Sequence, residues 1–147
     1  MTFPADQEST VFYNPVQVQN RDLSILMITL YAERRAMRRA IKLKRKELNQ
    51  QNLSKTELET KLQEYEASLD PQQLVTQQEE TSTRTTKSNG ITILEALAAS
   101  GLRSVRYWKE IPGVKHITIN DLELAAVERA KDNLHRNGLD SVLLESN

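Results

Sequence analysis

Residues 91–121 read ITILEALAASGLRSVRYWKEIPGVKHITIND, and the parsing of this stretch decides the fold class. Ile91, Ile93 and Leu94 are strand-like, with Glu95 where the strand emerges. Ala96 to Gly101 are small residues that allow close backbone approach. Leu102, Val105, Tyr107 and Trp108 then fall on one side of a helix that Pro112-Gly113 terminates. His116 to Asn120 form a second strand, and Asp121 ends it. Strand, tight turn, helix, strand and terminal acid together predict an α/β fold with a parallel sheet. Its carboxyl edge would meet a nucleoside-containing cofactor.

The turn narrows the cofactor class. A dinucleotide needs a G-x-G-x-x-G turn so that its pyrophosphate can lie against backbone amides. Here a single glycine, Gly101, stands among alanines and Ser100. A ribose-bearing cofactor without a pyrophosphate fits better, and S-adenosylmethionine is the candidate. A carboxylate at Asp121 can accept both ribose hydroxyl hydrogens; the competing reading is a cap on the following helix. That helix runs from Leu122 to Asn137, with Leu124, Ala125, Val127, Ala130 and Leu134 facing in and Gly138 closing it. Ser141 to Glu145 begin a third strand.

Upstream the pattern is different. Residues 1–10 carry no structural signal, and Tyr13-Asn14-Pro15 marks a turn. Asn20 or Asp22 can cap a helix whose apolar residues are Leu23, Leu26, Met27, Leu30 and Tyr31. Between Tyr31 and Lys46 the helix turns basic, with eight Lys/Arg residues against one glutamate. Such a run is a solvated helix face, a surface that tracks phosphates, or a nuclear address. Ser54 and Glu57 have capping-box spacing before Leu58, Leu62 and Tyr65, and Asp70-Pro71 ends that helix. Charge-rich helices on either side of Asn52 predict a mobile hairpin arm. Gln72 to Asn89, nearly free of apolar residues, predicts a disordered linker.

The totals exclude several classes. The chain has no cysteine and two histidines, His116 and His135, so disulfides, thiolate sites and a histidine metal centre are not expected. Zero formal charge removes a global basic signature, and no apolar run approaches a membrane span. The amino terminus has neither a signal core nor an arginine-rich presequence, which predicts an intracellular setting: nucleus, cytoplasm or mitochondrion.

Three blocks carry a family resemblance: VFYNPVQVQNRDLS at 11–24, ILEALAASGLRSVRY at 93–107 and NDLELAAVERAKDNL at 120–134. In this order they resemble the tRNA (guanine26-N2)-dimethyltransferase family. The resemblance implies a Rossmann-like class I methyltransferase sheet that moves methyl groups from S-adenosylmethionine to the exocyclic amine of a tRNA guanine. It implies that Arg21 and Arg103 lie near the cofactor's methionine carboxylate, that Asp121 holds its ribose, and that Glu95 and Gly101 complete the cofactor wall. It implies a stacking role for Phe12 against a flipped guanine; ordinary packing of the entry segment is the alternative. Arg106 reads as a helix-face residue.

The family's Asp-Pro-Phe/Tyr-Gly acceptor motif has no counterpart here, because Asp70-Pro71 is followed by two glutamines. The expected organisation is an entry segment at 1–32, a basic helical insertion and linker at 33–89, and a βαβαβ cofactor half at 90–147, with only the first three strands of the sheet. No metal and no membrane partner are expected, and on its own such a portion is expected to be inactive. Two other readings are a non-catalytic RNA- or cofactor-binding fragment and a different S-adenosylmethionine-dependent enzyme. The F-Y-N-P…N-R-D block argues against the latter.

Overall fold

The computed structural model describes residues 15–80, 90–139 and 144–146. A short 3-10 turn, Pro15–Gln17, leads into α1 (Val18–Leu48), α2 (Lys55–Ser68) and α3 (Pro71–Glu80). Then follow β1 (Ile91–Glu95), α4 (Leu102–Glu110), β2 (Val114–Ile119), α5 (Leu124–Arg136) and β3 (Leu144–Ser146). The fold is a helical amino-terminal region joined to a parallel sheet. β1 pairs with β2 from Ile91–Val114 to Glu95–Ile119, and β3 adds to the far side of β2. The third strand thus begins later than expected, at Leu144; Ser141 to Leu143 lie outside the described residues, as do Phe12 and the Thr81–Asn89 part of the linker.

Alternation positions the side chains of β1. Ile91, Ile93 and Glu95 point into the buried face while Thr92 and Leu94 point out. Ile117, Ile119 and Leu134 are fully buried between the sheet and its helices. Each such aliphatic side chain contributes about 1.5–3 kcal/mol by leaving water. Glu95 therefore shares a face with the core although it carries a carboxyl group. The register also fixes the carboxyl edge: the Asn120 amide donates to the Glu95 carbonyl at 2.9 Å, and the Ala98 amide donates to the Asn120 carbonyl at 2.9 Å.

The arm is a packed structure, contrary to the mobile hairpin expected from its charge. Ala32 and Ala36 of α1 are buried, as are Leu48 at its end, Leu62 on α2 and Val75 on α3. Small residues on one face of α1 let neighbouring elements approach closely, so a narrow stripe suffices. The predicted linker is helical through Glu80, because Asp70 accepts the Gln72 amide at 2.9 Å and Pro71 takes the first helical position. Asp70-Pro71 is thus a helix start as well as a stop. The Ser54–Glu57 capping box is present as expected.

Two inward faces differ from expectation. On α1 the packed residues are Ile25, Ile28, Ala32 and Ala36, whereas Leu23, Leu26, Met27, Leu30 and Tyr31 are exposed. The helix also begins at Val18, ahead of Asn20 and Asp22, with no side-chain cap. On α5, Leu124 and Ala125 point out, and Ala126, Val127, Ala130 and Leu134 point in. A helix start ahead of its packed turn leaves the first turn beyond the sheet edge. No helix among the described residues is long and apolar enough to cross a membrane.

Candidate cofactor site

Two parts of the carboxyl edge meet at the turn after β1. The first is the turn itself. Ala99 and Gly101 both adopt positive φ, 46° and 72°, a region disfavoured for any residue with a Cβ. The Asp121 carboxylate holds this shape. One oxygen accepts the Ala99 amide at 2.8 Å and the other accepts the Glu123 amide at 3.2 Å. These donors, Ala99 foremost, hold the Asp121 carboxyl below the usual carboxylate range. The Asn133 side chain donates to the Ser100 carbonyl at 2.9 Å and the Asn120 side chain to the Ala96 carbonyl at 3.1 Å, completing the brace. Asp121 therefore pins the turn and shapes the approach to α5, whose own N-cap, Glu123, makes no side-chain bond. With the Leu122 amide also acting on it, the carboxylate keeps about one lone-pair direction for a further donor.

Gly101 is required by geometry. A Cβ there would lie 3.0–3.2 Å from the Cβ, Cα and carbonyl oxygen of Ala130, so α5 approaches the turn against bare backbone. The bare glycine backbone is what permits this approach.

The second part is an open groove of about 610 Å³ between α1 and α4, bordered by Asn20, Ser24, Met27, Ile28, Arg103 and Tyr107. Beneath it sits Glu95, 7% exposed, with the Arg103 guanidinium 3.8 Å away. Burial pushes the Glu95 carboxyl up, while Arg103 and a hydrogen bond from the Tyr107 hydroxyl pull against that rise. Tyr107, itself buried, has its hydroxyl pushed up by burial and by the Glu95 charge.

Folded Glu95 thus holds its proton more tightly than the unfolded chain does. Its contribution to stability is full below the ordinary carboxylate range and is lost as pH rises through the raised value. Thermal unfolding between pH 4.5 and 7.5 tests this. The wild type is expected to lose stability with rising pH relative to Glu95→Gln, and parallel pH profiles for the two proteins would exclude the buried-acid assignment.

The remaining site residues divide clearly. Arg21 is a buried residue of α1, 9% exposed, and does not border the groove. Asp22, beside it, receives the Arg106 guanidinium at 2.6 Å, and Arg106 also clamps Glu110 with two bonds of 2.6 and 2.8 Å. These carboxylates raise the Arg106 pKa further. Arg106 is therefore a tie between α1 and α4, a larger role than the helix-face position read from the sequence. The structure brings Arg103 and Glu95 together, sets Asp121 on the turn, and leaves Phe12 outside the described residues. Ser24 and Tyr107 carried no separate signal in the sequence. The clue to Tyr107 was its place one helical turn after Arg103, which aims both side chains at one groove.

The family model for N2,N2-dimethylguanosine tRNA methyltransferase matches residues 1–147. The tRNA (guanine(26)-N(2))-dimethyltransferase of Schizosaccharomyces pombe is 36% identical over 96% of this chain and 25% of its own length. That of Drosophila melanogaster is 41% identical over 90% of the chain and 21% of its own length. The mitochondrial protein of that name from Saccharomyces cerevisiae is 33% identical over 93% of the chain and 23% of its own length. The chain thus spans between a fifth and a quarter of the curated relatives it matches. No solved structure matches it. The chain belongs to the N2,N2-dimethylguanosine tRNA methyltransferase family.

Proposed function

We propose that this chain supplies the methyl-donor side of a tRNA (guanine26-N2)-dimethyltransferase that uses S-adenosylmethionine, on a Rossmann-like class I methyltransferase sheet. The observation that carries the reading is the Asp121 carboxylate at the end of β2. It braces a turn of two positive-φ residues and keeps acceptor capacity for a ribose hydroxyl. Bound there, S-adenosylmethionine supplies an electrophilic methyl group on a sulfonium. The chain's own residues bind and orient it: Asp121 takes the ribose, and Arg103, half-exposed at the groove, offers a cation to the methionine carboxylate. Glu95 holds Arg103 from below. Gly101 serves the site by letting the turn bend against α5, and Arg21 supports it from within α1.

Residues 1–32 form the entry segment, 33–89 an insertion and 90–147 the cofactor half. Phe12 would stack on the target guanine. Methyl transfer to the guanine amine of tRNA, and residence in nucleus, cytoplasm or mitochondrion, belong to the same proposal and extend to the whole protein.

Calorimetry with S-adenosylhomocysteine tests the cofactor assignment directly. The chain is expected to bind it, and Arg103→Gln to weaken binding about 10- to 100-fold through loss of a charge-assisted hydrogen bond. Absence of binding, or unchanged affinity in Arg103→Gln, counts against the Arg103 role; absence of binding alone counts against the site.

A further inference from the structure

We propose that α1 carries a second functional surface, a ladder of cations that binds the phosphate backbone of the tRNA and leads it to the groove. This rests on the donor-site reading only in naming the RNA, and the test separates the two.

Each residue of an α-helix adds about 100° of rotation and about 1.5 Å of rise. On that scale Arg34, Arg38, Lys42 and Arg45 form one stripe, with Arg35 and Arg39 beside it, all within an arc of about 140°. All six are exposed, and none makes an ion pair among the described residues. Lys46 joins the same arc. The acids of α1, Asp22, Glu33 and Glu47, fall on the other side of the helix, and the lysine beside them, Lys44, is paired with Glu47 at 3.0 Å. A solvated face would mix the two signs along the helix; here they are sorted.

The ladder is also held in place. Ala32 and Ala36, at the margin of the arc, are buried, and Lys44 lies over the Tyr65 ring of α2. A supported helix presents its cations without the cost of ordering a loose arm.

Position completes the case. Asn20, Ser24 and Met27, which border the groove, project within the same arc as the ladder. Ser24 lies about 15 Å along the axis from Arg34 and about 33 Å from Lys46. Phosphates held on the ladder therefore place the next part of the RNA over Tyr31 and into the groove.

Fluorescence anisotropy with an unmodified tRNA transcript tests this on the full chain. In Arg34→Gln/Arg38→Gln/Lys42→Gln, affinity is expected to fall at least tenfold at moderate salt. The slope of log affinity against log salt should become shallower by about two to three, one phosphate contact per cation removed. Lys55→Gln/Lys61→Gln/Arg136→Gln removes the same charge from exposed positions elsewhere and is expected to keep the wild-type slope. Equal loss in the two triples, or no loss in the first, would overturn the proposal. So would ladder-dependent binding of phosphatidylserine vesicles without binding of tRNA. S-adenosylhomocysteine affinity, measured on the same samples, is expected to be unchanged in both triples. If it is absent throughout, the donor site fails while the ladder is still judged by its salt slope.

Discussion

Asp121→Ala is expected to lower S-adenosylhomocysteine affinity by at least 100-fold. Two effects combine. The carboxylate is the acceptor for a ribose hydroxyl, and a charge-assisted hydrogen bond contributes about 1.5–3 kcal/mol. It is also the clamp on the Ala99 amide at 2.8 Å, so alanine releases a backbone conformation that costs about 1–2 kcal/mol to hold. Asp121→Asn separates the two. One amide oxygen can still accept from Ala99, but the side chain no longer offers a charged acceptor to a second donor. The asparagine variant is therefore expected to keep most of the stability and lose most of the affinity. Affinity within threefold of wild type in Asp121→Ala would assign Asp121 to the turn alone.

Gly101→Val is expected to destabilise the protein by about 2–5 kcal/mol. The position has φ of 72°, where a β-branched residue meets its own carbonyl at a cost of about 1–2 kcal/mol. The new side chain also drives into the backbone of Ala130, with the Cβ alone already 3.0–3.2 Å from three of its atoms, and overpacking of this kind costs about 1–3 kcal/mol. Denaturant unfolding at neutral pH measures the loss. A change below about 1 kcal/mol would mean that α5 can move away from the turn, and with it that the close approach of α5 is dispensable. Gly138, also at positive φ but with nothing within 4 Å of where a Cβ would stand, is the contrasting position.

The sheet and the turn that Asp121 braces were legible from the sequence because each rests on local chemistry. Alternation marked β1, Pro112-Gly113 marked the end of α4, and a single acid after an apolar run marked the carboxyl edge. What was not legible depended on partners distant in sequence. Whether Leu26 or Ile25 of α1 faces inward is decided by how α1 packs on the core, a contact that the Asp22–Arg106 pair fastens at its edge. The packed state of residues 33–80 rests on alanines and on one buried valine, Val75. Such small contacts give a weak hydrophobic pattern but a close fit. Tyr107 read as one apolar residue among several; only the burial of Glu95 beside it shows that its hydroxyl has work in the site.

The Asp22–Arg106 pair joins residues 84 positions apart, and this separation bears on how the groove can change through evolution. Its two walls come from distant stretches of chain, so the groove exists only once a long loop has closed. The entropy of closing such a loop grows with the logarithm of its length, about 0.6 kcal/mol for each doubling. In chain entropy alone, lengthening the stretch between the walls costs the groove little, provided the guanidinium and the carboxylate still meet and the packing of α2 and α3 on α1 is kept. Insertions at the exposed ends of α2 would therefore leave the two walls able to close over the same turn.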